Sequence, residues 1–317
     1  MGTINILFLG GAKRVSLAEH FIKAGERLGQ KVNIFSYELQ KECPIAAVGT
    51  VIIGKRWNDE SLAEDLIDAV TDNHINIILP FVDPAVEIAA IEKDILPNLF
   101  IPVSNHEICS VMFDKKKSER WFIDNGIAIP KSYQPTDELD FPVIIKPRRG
   151  SASKGIEVIN TVEEWKKVQH PDDYVIQHFI EDKTEYTVDC YVSQNGKIIS
   201  VVPRERLVVA GGEVMNSKTL KDEQLDRESR KILKAGNFRG PNTIQFIRDN
   251  KTGETFVMEI NPRLGGGVIT SIEAGADIPT YILKEYMGEA ITPCTNWKAN
   301  TLMTRYTKEV IFYADNN

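Results

Sequence analysis

The residues best suited to chemistry lie in the C-terminal third of the chain. Residues 256–263 read Phe-Val-Met-Glu-Ile-Asn-Pro-Arg, and in a β-strand Glu259 and Asn261 point to the same face because they are two residues apart. Gln245 lies in a stretch, 242–246, that can pair with this strand and adds a third oxygen. Carboxylate and amide oxygens suit Mg²⁺, which takes water and substrate phosphates in its other positions. The pattern therefore indicates a magnesium site.

Arg263 follows this segment and is placed to hold a phosphate through two N–H groups. The alternative is a polar strand face that ends in an Asn-Pro turn. That alternative does not readily explain why Glu259 lies between Met258 and Ile260 on an otherwise apolar strand. We therefore favour metal and phosphate binding.

A second candidate site is the basic loop after an apolar strand. The strand, 143–147, reads Val-Ile-Ile-Lys-Pro, and Arg-Arg-Gly-Ser-Ala-Ser-Lys-Gly follows at once. Small residues expose backbone N–H groups to phosphate oxygens, and the cations neutralise the charge. Lys146 ends a buried strand and needs a partner there. A solvated loop that is basic by chance is the alternative, but we favour anion binding.

Two turns in the first third of the chain are weaker candidates for substrate contact. Gly10 and Gly11 open a turn between a strand and a helix, where glycines let a ligand approach the backbone. A plain tight turn explains them equally well, and the G-x-G-x-x-G spacing of dinucleotide sites is absent. Asp83 follows a strand at the edge where open α/β sheets bind ligands. Taken alone, Asp83 is better explained as the cap of the next helix.

Short apolar runs alternate with helical periodicity at the start of the chain. Strands are predicted at 4–9, 32–37, 50–53, 75–81 and 100–103. Helices are predicted at 15–28, 61–70 and 84–96. Ser61 and Glu64 form a capping box at the start of the second helix. This alternation predicts parallel βαβ units in an open, Rossmann-like sheet with both faces covered.

After residue 114 the pattern changes to antiparallel α+β structure. Helices are predicted at 115–125 and 161–168. Strands are predicted at 143–146, 155–159, 174–178, 185–193, 197–202, 243–248 and 256–260. Asn195 and Gly196 predict a hairpin turn. Two architectures in one chain agree with the roughly two domains expected for this length.

Composition excludes several classes of protein. The 38 basic and 45 acidic residues give a net charge of −7, which argues against a nucleic-acid-binding protein. The four cysteines are scattered without a C-x-x-C pair, which argues against a zinc ribbon and indicates reduced thiols. The apolar start is too short to span a membrane and lacks the features of an export signal. We therefore expect a cytoplasmic protein.

In this order, the segments resemble the ATP-grasp superfamily, and most closely its carbamoyl-phosphate-synthase-like branch. The most specific parts of the resemblance are residues 144–155, 174–189, and Gln245 together with 259–263. The resemblance implies an α/β N-terminal Rossmann-like preATP-grasp domain, followed by an α+β ATP-grasp domain whose two subdomains clamp ATP. The implied divisions are the preATP-grasp domain at 1–113, the small lid subdomain at 114–180 and the C-terminal subdomain with the metal site at 181–317.

The resemblance also implies roles for individual residues. Lys115 and Lys146 match the two lysines that reach the nucleotide phosphates, and residues 148–155 match the glycine-rich lid. The backbone of residues 177–180 matches the linker that reads the adenine edge, and Glu185 matches the acid that holds the ribose. Together, ATP contacts are expected from Lys115, Lys146, Ser151, Gln177, His178, Phe179, Ile180, Glu185 and Gln245. The Mg²⁺ ligands, with Mn²⁺ as an alternative ion, are expected to be Gln245, Glu259 and Asn261.

The implied reaction is attack of a substrate carboxylate on the γ-phosphate of ATP, which gives an acylphosphate that an amine then displaces. Mg²⁺ and cationic side chains offset the charge of the two anions. Catalytic roles are expected for Arg263, Lys146 and Arg204. Arg204 and Arg206 share one face of a predicted strand and are expected to hold the carboxylate, although a solvated strand face explains them about as well. Weaker substrate contacts are expected from Gly10, Gly11 and Asp83.

We therefore favour a stand-alone carboxylate–amine ligase acting on an amino acid or small metabolite. Carbamoyl phosphate synthase has two such units in a longer chain, and biotin carboxylase is longer and needs a biotinylated partner. One alternative is a nucleotide-binding regulatory or scaffold protein on the same fold. An NAD-linked dehydrogenase is a weaker one, because the dinucleotide fingerprint is absent. The expected partners are ATP, a small carboxylate and an amine, without nucleic acid or membrane, and a homodimer is left open.

Overall fold

The N-terminal part of the chain forms a parallel sheet of four strands. The structure, a computed structural model, describes residues 2–95, 99–150 and 154–313. The strands are β1 (Thr3–Leu9), β2 (Lys31–Glu38), β3 (Thr50–Ile53) and β4 (Ile77–Pro80). Their order is β3-β2-β1-β4, and each neighbouring pair is parallel, so the predicted pairing is confirmed. The predicted strand at 100–103 is wrong, because the chain forms only a single bridge there, between Ile77 and Phe100.

Four helices accompany this sheet. They are α1 (Val15–Arg27), α2 (Leu62–Asp72), α3 (Asp83–Ile95) and α4 (His106–Met112). The predicted capping box on α2 is wrong, because the Ser61 hydroxyl donates to Asp59 Oδ1 at 2.8 Å and leaves the helix amides without a side-chain cap. Asp83 is the first residue of α3, so it lies at the carboxyl end of β4 as expected.

A second, small sheet follows α5 (Lys115–Asp124), which begins after the capping residue Asp114. The strands of this small sheet are β5 (Ser132–Tyr133), β6 (Val143–Pro147), β7 (Glu157–Ile159) and β8 (Tyr174–His178). They run antiparallel in the order β5-β8-β6-β7. The helix predicted at 161–168 is only one turn, α6 (Val162–Trp165), capped by Thr161. The small sheet encloses a core of its own around Val143, Ile145 and Ile176.

The C-terminal half of the chain builds a large antiparallel sheet of six strands. These are β9 (Lys183–Val192), β10 (Ile198–Ala210), β11 (Glu213–Thr219), β12 (Gly240–Asp249), β13 (Thr255–Asn261) and β14 (Leu302–Thr304). Their order is β13-β12-β9-β10-β11-β14. Three helices belong to this half: α7 (Glu223–Ala235), α8 (Ile269–Glu273) and α9 (Ile278–Tyr286).

Strand β9 shows why the large sheet has one packed face and one polar face. Successive side chains of a strand point to opposite faces. The packed face carries Tyr186, Val188, Cys190 and Val192, which share a core with α5 and α7. The polar face carries Glu185, Thr187 and Asp189. Because the apolar residues pack against the helices, the polar residues lie on the opposite face, which is available for a site.

The three layers are joined by shared cores. Phe122 of α5 packs in the core of the large sheet, so α5 is attached to that sheet although it precedes the small one. At the other end, Phe8 and Phe21 of the N-terminal part share a core with Val268 and Ile282 of the C-terminal half. The boundaries at 114 and 181 stay a prediction. In the described ranges no helix is both long and apolar enough to cross a bilayer.

Gly240 gives a test of how the N-terminal part is held against β12. Its φ is +67°, and a Cβ there would lie 1.8 Å from the carbonyl oxygen of Pro102. We expect Gly240→Ala to lower the free energy of unfolding by about 3 kcal/mol or more, from backbone strain plus this clash. Chemical denaturation measures the loss.

The matched control is Gly253→Ala, where φ is +75° and no atom lies within 4 Å of the added Cβ. That change should cost only about 1–2 kcal/mol, from the left-handed backbone alone. Equal losses in the two variants would contradict the close contact at Pro102.

Candidate functional site

A cavity of about 310 Å³ lies between the small sheet and the large sheet. Ile144 and Lys146 line it from β6, whereas Gln245 and Glu259 line it from β12 and β13. We call it the first cavity. Lys146 and Glu259, which the sequence placed in two separate candidate sites, therefore share one site.

The three predicted metal ligands lie together at the paired ends of β12 and β13. Gln245 is directly opposite Glu259, and Asn261 is opposite Thr243. The Asn261 amide donates to Glu259 Oε1 at 2.8 Å. Arg263 Nη2 donates to Asn261 Oδ1 at 3.1 Å. The register therefore brings three side-chain oxygens to one place.

These oxygens fit a hard cation that takes most of its ligands from a substrate. The set has one carboxylate, Glu259, and the amides Gln245 and Asn261. Over the described residues no group of three His, Cys, Asp or Glu side chains is arranged to hold a metal. Mg²⁺ is commonly held by one or two protein carboxylates together with substrate phosphates, so the donor set suits it.

Lys146 is buried at the floor of the first cavity and is held by a chain of hydrogen bonds. Its Nζ donates to Gln177 Oε1 at 2.9 Å, and the Gln177 amide donates to Glu119 Oε1 at 2.9 Å. Burial lowers the pKa of Lys146 to about 8, although the carboxylates of Glu259 and Glu119 act in the opposite direction. The ammonium group is thus less stable here than in water, and an added anion would stabilise it.

The entrance of the first cavity is lined by Lys115 and the loop after β6. Lys115 Nζ donates to the carbonyl oxygen of Gly150 at 2.7 Å. Arg148, in contrast, is paired with Asp114 at 2.7 Å between Nη2 and Oδ2. Asp114 therefore ties the loop to the start of α5, and Arg148 is not free to bind an anion. The predicted contact Ser151 lies outside the described residues.

Gln177, near the end of β8, has a structural role besides its predicted contact with ATP, and that contact stays a prediction. Its side chain points to Lys146, so it positions the lysine. The N–H groups of His178 and Phe179 donate to backbone carbonyls at 2.8 and 3.0 Å, and the Phe179 ring lines the first cavity. The Ile180 N–H has no acceptor in the described parts of the chain. A contact of that N–H with the adenine edge stays a prediction, because Ile180 is not among the described residues that line the first cavity.

Glu185 and Arg206 lie side by side on the polar face of the large sheet. Arg206 Nε lies 3.3 Å from Glu185 Oε2, and Arg206 Nη1 donates to Gln245 Oε1 at 3.0 Å. Burial lowers the pKa of Arg206 below its ordinary value. Arg206 lines the first cavity and also a second cavity of about 290 Å³. The two cavities are therefore continuous.

Arg263 and Asp83 meet in the second cavity. Arg263 Nη2 lies 3.2 Å from Asp83 Oδ1, so the end of β13 contacts the start of α3. The two predictions came from segments 180 residues apart. Their pairing brings the predicted substrate residue Asp83 next to the predicted phosphate residue Arg263.

Arg204 is held by an ion pair that the sequence did not predict. Its side chain is 2% exposed, and its Nε donates to Asp189 Oδ2 at 2.8 Å. The Ser271 hydroxyl also donates to Asp189 Oδ2, at 2.7 Å. Gly267 packs so closely that a Cβ there would lie 2.6 Å from Arg204 Nη1. Arg204 therefore forms a buried ion pair that fixes the sheet. It also lines the second cavity, and its Nη1 has no hydrogen-bond partner in the described residues, so its contact with a substrate carboxylate stays a prediction.

The turn after β1 has the features of the plain tight turn that the sequence left open, and a substrate contact from Gly10 and Gly11 stays a prediction. Gly10 has a φ of +73°, and a Cβ on Gly11 would lie 2.6 Å from the Cβ of Phe8. Both glycines are therefore needed for the turn itself. Arg14, from the same turn, is the residue that lines the second cavity.

Sequence reasoning missed Asp189, Glu119, Arg14 and Arg305. The alternation of polar residues along β9 could have indicated Asp189, because it lies two residues beyond Thr187 on the same face. Glu119, Arg14 and Arg305 carry no local signal. Their roles come from contacts between distant segments, such as Arg14 with Gly265.

Comparisons with known proteins agree with this geometry. Residues 170–309 match the family model described as an ATP-grasp in the biosynthetic pathway with Ter operon. A D-alanine–D-alanine ligase of Fusobacterium nucleatum is 28% identical over 174 residues, which cover 49% of this chain and 58% of the ligase. Methylcrotonoyl-CoA carboxylase subunit alpha of Rattus norvegicus is 24% identical, covering 52% of this chain and 27% of that protein. The chain thus spans less than two thirds of these relatives.

Solved structures share the fold over nearly the whole chain. Biotin carboxylase from Campylobacter jejuni, in a β,γ-ATP complex, has a TM-score of 0.76 at 19% identity, covering 94% of this chain and 74% of that one. N5-carboxyaminoimidazole ribonucleotide synthetase from Thermotoga maritima has a TM-score of 0.68 at 18% identity, covering 92% of this chain and 77% of that one. The resemblance to the ATP-grasp superfamily is therefore confirmed, whereas its carbamoyl-phosphate-synthase-like branch stays a prediction.

The buried pair of Asp189 and Arg204 gives a stability test. Asp189→Asn leaves the Arg204 guanidinium without its counter-charge, so we expect the free energy of unfolding to fall by about 3–5 kcal/mol. Chemical denaturation of the variant measures this loss.

The control is Asp226→Asn, which removes the exposed carboxylate that pairs with Arg230 at 2.7 Å on α7. An exposed pair of this kind contributes only about 0–1 kcal/mol. A loss for Asp189→Asn no larger than that of the control would show that the Arg204 pair does not hold the sheet.

Proposed function

On the premise of the ATP-grasp fold, we propose that this chain is an ATP- and Mg²⁺-dependent ligase that joins a carboxylate to an amine through an acylphosphate. The observation that carries the proposal is that Lys146 and Glu259 line one cavity from two different sheets. A triphosphate placed there would meet an ammonium group on one side and a metal-binding carboxylate on the other. The relative named as a D-alanine–D-alanine ligase supports the reaction class.

The first cavity is the nucleotide site in this proposal. Its apolar wall near Phe179 suits a purine ring. The backbone of Ile180, the next residue along the chain, would read the adenine edge. Glu185 is placed to accept hydrogen bonds from the ribose hydroxyls. Lys115 and Lys146 face the phosphates from the entrance and the floor. The His178 N–H is already bonded to the carbonyl oxygen of Lys131, so a contact of His178 with ATP stays a prediction.

Gln245, Glu259 and Asn261 would hold the metal ion, with Mg²⁺ as the first candidate and Mn²⁺ as the second. The ion, when bound, supplies positive charge to the β- and γ-phosphate oxygens. N–H donors of Arg206 and Arg263 bond the side-chain oxygens of Gln245 and Asn261. These arginines therefore keep the oxygens oriented towards the site.

The acid substrate would bind in the second cavity, beside Arg263. Its carboxylate oxygen attacks the γ-phosphorus, the bond to the β-phosphate oxygen breaks, and ADP leaves. The amine nitrogen then attacks the acyl carbon, loses a proton and expels inorganic phosphate. Lys146 and Arg263 offset the charge that accumulates between two anions, while Arg204 acts indirectly by fixing the sheet with Asp189.

The domain organisation follows from the same proposal. Residues 1–113 would be the Rossmann-like preATP-grasp domain, 114–180 the lid subdomain and 181–317 the subdomain with the metal site. Such a ligase, acting on an amino acid or small metabolite, would work in the cytoplasm, where ATP and Mg²⁺ are available. A homodimer stays a prediction.

A nucleotide-binding regulatory or scaffold protein is the second candidate. It would bind ATP without acceptor-dependent formation of ADP. The oriented metal ligands favour the enzyme, because a scaffold has no need of Gln245, Glu259 and Asn261 together.

A direct test measures ADP release with a panel of carboxylic acids and hydroxylamine as a general amine. Glu259→Gln removes the only carboxylate among the proposed metal ligands, so we expect acid-dependent turnover to fall about 100-fold or more. Glu254→Gln, which neutralises an exposed carboxylate just before the same strand, is the control and should leave turnover unchanged. Turnover that survives Glu259→Gln, or ADP release that no acid stimulates, would contradict the ligase.

The pKa of Lys146 predicts a pH dependence of nucleotide binding. Because its pKa is lowered to about 8, the ammonium charge is lost as the pH rises through that value. The affinity for the non-hydrolysable analogue AMP-PNP with Mg²⁺ should therefore fall above pH 8, by at most about tenfold per pH unit. Calorimetric titration between about pH 7 and 9.5 measures the change.

Lys146→Arg is the control, since a guanidinium remains protonated throughout this range. Its affinity should stay level between those pH values. If both proteins lose affinity in parallel, Lys146 is not the group that binds the phosphates.

A further inference from the structure

A third cavity of about 340 Å³ adjoins the second cavity, and Arg14 and Gly266 line both. Arg14 comes from the turn after β1, and Arg305 follows β14 directly. Beyond these arginines the third cavity is lined by apolar side chains that include Leu17 and Met303. We call the place where the two cavities meet the junction. The junction is lined by charged groups and lies between a polar cavity and a more apolar one.

Three guanidinium groups meet at the junction, but only two carboxylates pair with them. Arg263 Nη2 lies 3.2 Å from Asp83 Oδ1, and Arg305 Nη1 lies 2.9 Å from Glu213 Oε2. Arg14 has no ion pair with any residue of the described ranges. The junction therefore carries an excess positive charge in a protein whose overall charge is negative.

Arg14 is held in place by uncharged groups. Its Nη1 donates to the carbonyl oxygen of Gly265 at 3.3 Å. Its guanidinium carbon lies 5.3 Å from the centre of the Phe81 ring, where the ring face attracts a cation. Arg14 is thus oriented in advance, and within residues 2–95, 99–150 and 154–313 only one of its five N–H groups has a hydrogen-bond acceptor.

The electrostatic surroundings of Arg14 favour an anion. Burial, together with the nearby charges of Arg263 and Arg305, lowers the pKa of Arg14 to about 10. Glu213 acts in the opposite direction but does not restore the ordinary value. A desolvated cation with cationic neighbours is destabilising unless an anion approaches it.

We propose that Arg14 and Arg305 bind a second anionic group of the acid substrate, so that the substrate carries a carboxylate or phosphate besides the carboxylate that reacts. This inference rests on the proposed ligase function. The reacting carboxylate lies beside Arg263, the second anionic group lies at the junction, and the rest of the molecule extends into the third cavity. The substrate class is an elongated acid with at least two negative groups.

A purely structural role for Arg14 is the competing explanation. Its contacts with Phe81 and Gly265 join the N-terminal part to the C-terminal half, and a strut of that kind needs no ligand. The two explanations differ in what Arg14→Lys does. A lysine keeps the charge but loses the planar contacts. It would therefore retain anion binding in part and lose the structural contacts with Phe81 and Gly265.

The test is calorimetric titration of the full chain saturated with Mg²⁺ and AMP-PNP. The probes are succinate and 3-phosphonopropionate, which have two anionic groups, and propionate, which has one. We expect the two-group probes to bind about 10- to 100-fold more tightly than propionate. Arg14→Gln should remove this advantage without changing the affinity for AMP-PNP, and Arg14→Lys should keep part of it. A preference for 3-phosphonopropionate over succinate would identify the second group as a phosphate.

The controls separate this proposal from the ligase itself. Lys23→Gln, on the exposed face of α1, changes the net charge equally and should change nothing. Arg305→Gln should reproduce the loss and keeps the test valid if Arg14→Gln does not fold. If AMP-PNP fails to bind, the ligase proposal fails, and titration without nucleotide still decides the role of Arg14. Equal affinity for propionate and the two-group probes, or a loss caused by Lys146→Gln instead of Arg14→Gln, would overturn the inference.

Discussion

The rest of the site depends on the interaction between the Lys146 ammonium group and the Glu259 carboxylate. The two groups belong to different sheets but line one cavity. Lys146 is buried, and without a partner its charge would be strongly disfavoured. Glu259 lies across the cavity and acts on the lysine electrostatically. The opposite charges of Lys146 and Glu259 therefore stabilise each other across the cavity between the two sheets. A polyanion with its metal ion complements both charges at once.

Many of the other polar contacts keep these groups oriented. Gln177 and Glu119 hold the lysine from behind, and Arg206 and Arg263 hold the amide oxygens beside Glu259. None of these contacts uses the full hydrogen-bonding capacity of its groups. The site is thus preorganised. Its donors and acceptors are already oriented before a ligand binds, which reduces the entropic cost of binding.

The sequence predicts those parts of the structure that depend on local periodicity. The two-residue spacing of Glu259 and Asn261 places both side chains on one face of a strand, and the structure brings them together as expected. The partner of Arg204 was not predictable in the same way, because its carboxylate lies on another strand and was not assigned a role. Arg14 is a stronger case, since its contact is 251 residues away in the chain. The capping box at Ser61 failed because a nearer acceptor, Asp59, competes for the hydroxyl.

The central claim is that one nucleotide and its metal ion bridge the two sheets. A crystal of the full chain with Mn²⁺ and AMP-PNP, measured at the manganese absorption edge, tests it most directly. The account predicts one anomalous peak at roughly 2.0–2.3 Å from oxygens of Glu259 and Asn261, with the triphosphate in contact with Lys146. A metal peak away from those oxygens, or a triphosphate that touches only one sheet, would contradict it.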